Sequence, residues 1–209
     1  MKLKVCGMKY VKNIEQVAAL LPDYLGFIFY ESSKRNFEGI IPDIPKSIKK
    51  VGVFVNEYQE IVVSLAQEYQ LEMLQLHGEE TPAYIAELRV HLPMIKIIKV
   101  FSVKDTFNFN ALENYENLVD YFLFDTKGKE KGGNGVVFNW EVLQNYPSKK
   151  PYFLSGGIGL DRLDALQVFL QSVAGKYCIA IDVNSKFETV PGSKETRALA
   201  KFKKSIENL

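Results

Sequence analysis

Residues 152–159 of this chain read YFLSGGIG, a short apolar run that ends in a serine and a pair of glycines. The run is rich in aromatic and aliphatic residues, which is typical of a strand buried on both faces of a sheet. Its glycine-rich end is typical of a tight turn. The stretch therefore predicts a strand followed by a turn into a helix, and the fold depends on how often that unit recurs.

Apolar runs of the same kind recur at even intervals along all 209 residues. The eight predicted strands are Lys2–Cys6, Tyr24–Tyr30, Lys50–Val55, Leu71–Leu76, Ile95–Val100, Tyr121–Asp125, Tyr152–Ser155 and Ile179–Val183. Amphipathic or turn-rich segments separate them. Strands that alternate with helices indicate a parallel sheet with right-handed crossovers.

Several intervening segments have the spacing of amphipathic helices. The predicted helices are Asn13–Leu21, Glu57–Tyr69 with Asn56 as its N-cap, a helix that begins at Thr81-Pro82, Gly159–Leu170 and Ser193–Ile206. Between Phe37 and Lys50 the chain contains two prolines, so we expect a helix of only one or two turns there.

Eight such units without a leftover strand predict an α/β fold, a (β/α)8 TIM barrel that forms a single domain over residues 1–209. The competing architecture is an open doubly wound sheet, which usually has five or six strands and a glycine fingerprint after the first. Here the first predicted strand ends in Cys6-Gly7, without GxGxxG or a P-loop. The pattern therefore favours the barrel.

Composition excludes several classes of protein. The chain has 26 Lys and Arg against 25 Asp and Glu, so its charge gives no reason to expect nucleic acid or a membrane surface as a partner. We find no signal-peptide pattern and no apolar run of the ~18 residues that a membrane span needs, and we expect a cytoplasmic protein. Two cysteines and two histidines predict neither a disulfide framework nor a metal site.

In such a barrel the active site is built at the carboxyl ends of the strands. The loops after strands seven and eight contain Gly156 and Gly157, and Asn184 and Ser185. Glycines let backbone N–H groups approach an anion closely, and a helix N-terminus adds partial positive charge. These loops predict a phosphate site. The alternative is that the glycine pair only makes a tight turn.

Two strand ends carry candidate acid–base groups. Cys6 ends strand one, where it is a general base, a nucleophile or an inert apolar filler. We expect nearby loops and helix N-termini to stabilise its thiolate. Asp125 ends strand six after four apolar residues, and an apolar environment favours a protonated carboxyl group that can act as a general acid. Its alternative role is to cap the following loop.

Arg35 and His77 are further candidates for substrate binding. Arg35 follows strand two and is either a bidentate partner for a substrate carboxylate or a solvated loop cation. His77 follows strand four and either lines the pocket or satisfies a backbone carbonyl. Cys178 precedes strand eight at the opposite end of the barrel, so we expect it to serve packing.

Eight short motifs, each at a predicted strand end, occur in one order along the chain. They are Lys4–Gly7, Gly26–Tyr30 with Ser33-Lys34-Arg35, Val51–Asn56, Leu74–Gly78, Leu123–Thr126, Gly132–Gly135 with Phe138-Asn139-Trp140, Leu154–Ile158, and Ile181–Ser185 with Pro191–Lys194. The series resembles the phosphoribosylanthranilate isomerase family of tryptophan biosynthesis from the first strand to the last helix.

This resemblance implies a barrel of the ribulose-phosphate-binding type and an Amadori rearrangement that needs no cofactor and no metal. The substrate would be a small phosphorylated aminoaldose, N-(5-phosphoribosyl)anthranilate, and the enzyme a monomer or homodimer. By motif, Asp125 matches the general acid that opens the ring, and Cys6 the general base at C2. Arg35 matches the arginine that faces the anthranilate carboxylate. Gly157 and the loop Asn184-Ser185 match the phosphate site.

The loop after strand eight departs most from the family, while the changes at Gly132–Gly135 and Lys194-Glu195 are mild, and two other functions remain open. The chain has Lys186-Phe187 where the family has Gly-Val, and Lys186 offers an additional charge for the phosphate. An indole-glycerol-phosphate synthase would call for a lysine acid and glutamates at the strand ends. A non-catalytic sugar-phosphate-binding barrel would keep the phosphate loops but lose the acid–base pair, whereas Cys6 and Asp125 are both present here.

Overall fold

The computed structural model describes residues 1–126, 139–207 and 209, and their strands form one closed parallel barrel. The strands are β1 (Lys2–Val5), β2 (Tyr24–Phe29), β3 (Lys49–Phe54), β4 (Met73–Leu76), β5 (Lys96–Val103), β6 (Tyr121–Thr126), β7 (Tyr152–Leu154) and β8 (Cys178–Val183). Each pairs with the next, and β8 pairs with β1, with Lys4 beside Asp182, which closes the barrel. The predicted barrel is confirmed and the open sheet is excluded.

Helices cover the outside of the barrel. They are α1 (Val11–Ala18), α2 (Gln59–Glu68), α3 (Pro82–His91), α4 (Leu163–Gln171) and α5 (Thr196–Ile206), and 3-10 segments at Phe109–Tyr115 and Trp140–Asn145 follow β5 and precede β7. A short hairpin, β9 (Glu188–Val190) and β10 (Ser193–Lys194), lies between β8 and α5. Among the described residues no helix is long and apolar enough to cross a membrane.

Local hydrogen bonds explain which predicted helix starts are confirmed. The Thr81 hydroxyl accepts from the Tyr84 N–H at 3.2 Å, as expected of an N-cap. Asn56 is not the N-cap of α2, because its φ is +51° and its side chain accepts from the Glu79 N–H. Helix α5 does not begin at Ser193, because Ser193 pairs with Val190 in the hairpin and Glu195 provides the cap.

Two further helix predictions need correction. The short helix expected between Phe37 and Lys50 is absent from that fully described segment, since its two prolines lack the N–H that a helix uses. The helix expected from Gly159 begins as a 3-10 turn, Leu160–Arg162, before α4. Both differences lie on the outside of the barrel and leave the strand order unchanged.

Side chains that alternate along the strands divide the barrel interior into an apolar floor and a polar mouth. The floor contains Tyr24, Val51, Met73, Ile98, Leu123 and Phe153. Above it, towards the carboxyl ends of the strands, four buried polar side chains follow: Lys4, Gln75, Asp125 and Asp182. A second, larger apolar cluster, which includes Cys178, fills the space between strands and helices and confirms the packing role predicted for that cysteine.

Candidate functional site

The barrel mouth is organised around a buried carboxylate. Asp182 of β8 accepts a hydrogen bond from the Lys4 ammonium of β1 at 2.8 Å and from the Ser155 hydroxyl after β7 at 3.3 Å. The negative charge of Asp125, on β6, also acts on Asp182. Burial, and then repulsion from Asp125, raise the pKa of Asp182 even though Lys4 and Ser155 oppose that rise. Asp182 therefore connects β1, β7 and β8 across the mouth.

Cys6 lies directly after β1 and is buried in this mouth. Its thiol packs against Gly26, where a Cβ atom would lie only 2.8 Å from Sγ. Burial raises the pKa of Cys6, Asp182 adds to that rise, and the ammonium groups of Lys4 and Lys194 oppose it. We expected loops and helix N-termini to stabilise the Cys6 thiolate. In the structure the groups that favour the thiolate are the ammonium groups of Lys4 and Lys194.

Asp125 and His77 lie together in the mouth. His77 Nε2 is 3.4 Å from Asp125 Oδ2, and His77 Nδ1 is 3.4 Å from the Gln75 amide nitrogen. The other oxygen of Asp125 accepts from the Thr126 N–H at 2.9 Å. Asp125 therefore makes the local backbone contact expected of a capping residue and also directs an oxygen into the mouth. Its surroundings are more polar than the apolar run before it predicts.

Arg35 belongs to an ion-pair network at the rim. Its guanidinium group makes a bidentate contact with Glu188 of β9, with Nη2 at 2.6 Å from Oε2. The buried Lys194 ammonium bridges Glu188 at 2.6 Å and Asn184 at 2.7 Å. Burial would raise the pKa of Glu188, but these two cations hold it below its usual value. Two cations against one carboxylate give the network one formal net positive charge, although burial lowers the pKa of the Lys194 ammonium.

The two predicted phosphate loops follow β7 and β8. Gly156 and Gly157 have φ angles of +96° and +64°, and a Cβ atom at Gly156 would clash with the Thr126 hydroxyl oxygen. Within the described part of the chain, the backbone N–H groups of Gly157 and Ser185 donate to no protein acceptor. Such N–H groups remain available to an anion, which agrees with a phosphate site.

Lys186 lies beside the first of these loops. Its ammonium is 3.9 Å from an Asp161 carboxylate oxygen, and its Cβ packs against Gly159. The motif Gly132–Gly135 and Phe138, which the family resemblance includes, lie outside the described residues. Among residues 1–126, 139–207 and 209, no group of three or more His, Cys, Asp or Glu side chains is arranged to hold a metal ion.

Sequence reasoning missed the buried polar and charged residues that support the predicted site. Lys4 and Gln75 lie inside apolar runs, and Glu188 and Lys194 lie in the hairpin after β8. Strand alternation was the available signal: Lys4 is two positions before Cys6 and Gln75 two positions before His77, so each pair faces the same side of its strand. The hairpin had no comparable signal.

Comparisons with known proteins agree over the whole chain. A profile of the family described as N-(5'phosphoribosyl)anthranilate (PRA) isomerase matches residues 3–205. The N-(5'-phosphoribosyl)anthranilate isomerase of Parabacteroides distasonis is 40% identical, over 99% of this chain and 93% of its own length.

Two solved structures are similar as well. The crystal structure of phosphoribosyl anthranilate isomerase from Thermotoga maritima has 30% identity, a TM-score of 0.80 and full coverage of both chains. A crystal structure of a phosphoribosyl anthranilate isomerase in complex with reduced 1-(o-carboxyphenylamino)-1-deoxyribulose 5-phosphate has 27% identity and a TM-score of 0.75, again with full coverage of both chains.

Proposed function

The chain belongs to the N-(5'-phosphoribosyl)anthranilate isomerase family, and from that premise we propose how its own residues perform the reaction. It is an isomerase of tryptophan biosynthesis that converts N-(5-phosphoribosyl)anthranilate, an aminoaldose, into the corresponding aminoketose, 1-(2-carboxyphenylamino)-1-deoxyribulose 5-phosphate. The binding and catalytic roles of individual residues are the proposal.

The substrate's two anionic ends match the two sides of the mouth. Gly156 and Gly157, with Asn184 and Ser185, bind the phosphate through the free N–H groups of Gly157 and Ser185. Arg35, held by Glu188, faces the anthranilate carboxylate, and the net positive charge of that network favours an anion. Fixing both ends places the sugar between Cys6 and Asp125, and positioning of this kind can contribute about 7–11 kcal/mol to the rate.

Proton transfer then proceeds in two steps. Protonated Asp125 donates its proton to the furanose ring oxygen, the C1–O bond breaks, and the nitrogen lone pair forms the C1=N bond of a Schiff base. The Cys6 thiolate removes the C2 proton, the C2–H electrons form a C1=C2 double bond, and the C1=N electrons return to nitrogen. The resulting enolamine tautomerises to the aminoketone. His77 contacts Asp125 and keeps its carboxyl group directed at the ring oxygen.

The observation that carries this proposal is the arrangement around Asp182. The charge of this one buried side chain acts on Cys6, directly after β1, and Asp125 of β6 acts on that charge in turn, so both groups lie at the same mouth. Acid–base chemistry needs a proton donor and a proton acceptor at one site, and Asp125 and Cys6 offer a carboxyl group and a thiol.

Turnover of substrate by two variants tests the roles. Phosphoribosylanthranilate is generated in situ and its anthranilate fluorescence is followed. Cys6→Ser and Asp125→Asn should each lower kcat by at least about 100-fold, because each removes one proton-transfer group. Cys178→Ser, which changes the other buried thiol, is the matched control and should keep kcat. Near-normal turnover by either active-site variant in a folded protein would remove that residue from the mechanism.

We also propose that residues 1–209 form one domain that works in the cytoplasm as a monomer or homodimer, with this small phosphorylated molecule rather than nucleic acid as its partner. The balanced charge supports the absence of a nucleic-acid partner. Light scattering coupled to size-exclusion chromatography distinguishes the two assembly states.

A further inference from the structure

Lys4 is a charged residue in a place where charge is costly. Its side chain is fully buried inside the barrel, directly above the apolar floor. The ammonium donates to Asp182 Oδ1 at 2.8 Å, and its positive charge acts on the thiol of Cys6, which lies two positions along the same face of the strand. A lysine whose four methylene groups and charge are all enclosed reaches no solvent.

Stability does not explain this pair. Taking an ammonium and a carboxylate out of water costs several kcal/mol per ion, and replacing a buried ion pair with apolar residues is often neutral or stabilising. The floor below the pair is apolar, so two apolar residues would suit the interior as well. The pair occurs where β1 and β8 close the barrel, immediately below the proposed catalytic base.

We propose that Lys4, oriented by Asp182, is a positioning residue that stabilises the Cys6 thiolate while Cys6 removes the C2 proton. The inference rests on the proposed role of Cys6 as base. Before catalysis the thiol proton leaves to solvent. The thiolate then takes the C2 proton, and Lys4 keeps its own protons throughout as a fixed positive charge.

The charges around Cys6 come from three elements. Lys4 of β1 and Lys194 of β10 are the cations, and Asp182 of β8 is the anion. Strand β2 packs against the thiol with the uncharged Gly26. Burial would lower the pKa of Lys4, but attraction to Asp182 and Cys6 raises it above its usual value, so the ammonium stays charged at neutral pH. Of the two cations, Lys4 acts more strongly on Cys6.

Direct titration of the thiol tests this inference without any turnover. The chain contains two cysteines, so protein labelled with 13C at cysteine Cβ gives two signals, and Cys6→Ser identifies the one from Cys6. The pH midpoint of that signal is measured in the wild type and in the variants. Circular dichroism at each pH confirms that the barrel is folded.

The two members of the pair should shift this midpoint in opposite directions. Lys4→Met removes the cation and leaves Asp182, so the midpoint should rise by about one pH unit or more, which is the usual size of such a charge effect. Asp182→Asn removes the anion and leaves Lys4, so the midpoint should fall. A loss of rigidity alone would not shift the midpoint upwards in one of these two variants and downwards in the other. Unchanged midpoints, or shifts in one common direction, would overturn the proposal.

A double variant covers the case in which a lone buried charge prevents folding. Lys4→Met/Asp182→Asn leaves neither charge unpaired. Because Lys4 acts on Cys6 more strongly than Asp182 does, the midpoint of the double variant should still lie above that of the wild type. A midpoint at or below the wild-type value contradicts the inference.

Activity separates this inference from the proposed mechanism. The rising limb of kcat/KM with pH should move with the thiol midpoint in Lys4→Met. If Cys6→Ser keeps its turnover, Cys6 is not the base and the proposed mechanism fails, whatever the titration shows. If Cys6→Ser is inactive but the midpoint does not depend on Lys4, the mechanism stands and the role of Lys4 is wrong.

Discussion

Arg35 is expected to bind a substrate carboxylate, and the structure already engages it with a carboxylate of its own chain. Glu188 fixes Nε and Nη2 of the guanidinium group and is itself held by Lys194 and the Gly192 N–H. A guanidinium group has five N–H donors, so this contact orients the side chain without using all of them. Arg35 is therefore neither a solvated loop cation nor a free one.

Arg35→Ala should chiefly weaken substrate binding. A charge-assisted hydrogen bond contributes about 1.5–3 kcal/mol, so KM should rise about tenfold or more, with a smaller change in kcat. Arg35→Lys keeps the charge but not the bidentate geometry, so its KM should lie between those of the wild type and Arg35→Ala. Steady-state kinetics measure the split. Arg197→Ala, on the exposed face of α5, is the matched control, and equal KM values for the two alanine variants would exclude Arg35 from the binding site.

Individual residues show where prediction from sequence ends. Cys6, Asp125 and His77 could be placed at the mouth, because the carboxyl ends of all strands in a parallel barrel lie at the same end of the barrel. Their partners could not be placed. Nothing in the order of residues indicates that Glu188 reaches Arg35, 153 positions earlier, since side-chain contacts across a barrel depend on the register of several strands at once.

The eight strands were predictable because each is buried on both faces and therefore consists of a continuous apolar run. Helix boundaries were less predictable than the strands, because where a helix begins depends on single hydrogen bonds such as those of Asn56 and Glu195. Asparagine is a preferred residue type at an N-cap, but the side chain of Asn56 connects the loop after β3 to the loop after β4 instead.

A second buried ion pair holds these same loops together. Lys99 of β5 lies 2.9 Å from Glu80, whose carboxylate also accepts the N–H groups of Gly78 and Asn56. Lys99 donates in addition to the Gly78 carbonyl at 2.7 Å. Lys99 faces away from the barrel interior, because Ile98 and Val100 on either side of it belong to the apolar floor. Three strands, β3, β4 and β5, are thus connected at their carboxyl ends through one lysine and one glutamate.

Lys99→Met should destabilise the protein strongly. It leaves Glu80 buried without its counter-charge, which typically costs about 3–5 kcal/mol of the free energy of unfolding. Lys49→Met breaks the exposed pair Lys49–Glu72 and should cost about 1 kcal/mol or less. Urea unfolding followed by circular dichroism measures both. Lys99→Met/Glu80→Gln should recover part of the loss, and equal costs for the two single variants would show that the inner pair has no special role.

For the whole molecule, pH acts on activity through Cys6, and on stability through the buried thiols and the buried tyrosines. Burial raises the pKa of Cys6, so the thiolate needed at C2 becomes more abundant as pH increases. Burial also raises the pKa of Tyr24 to about 12 and raises the pKa values of Tyr84, Tyr146 and Tyr152. The interior that keeps the Cys6 thiol protonated therefore also keeps these phenols protonated.

The sign of the stability effect follows from these directions. A group whose pKa is raised on folding contributes its full stabilisation below its unfolded value, which is about 10 for a phenol, and loses it as pH rises towards the folded value. We therefore expect kcat/KM to increase from about pH 7 to pH 9, because the ordinary thiol pKa is about 8.5 and that of Cys6 is higher. The thermal unfolding midpoint should begin to fall above about pH 8.5, because the pKa values of Cys6 and Cys178 are also raised on folding, and should fall further above about pH 10 through the tyrosines.

Profiles of kcat/KM and thermal melts at matched pH values measure the rise in activity and the fall in stability separately. The control is Asp120→Asn, which alters an ion-pair network at the other end of the barrel. This variant should lower the unfolding midpoint without moving the rising limb of the rate profile, because Asp120 interacts with Arg89 and Lys96 and not with Cys6. A value of kcat/KM that falls between pH 7 and pH 9 in folded protein would mean that the thiolate of Cys6 does not limit proton removal.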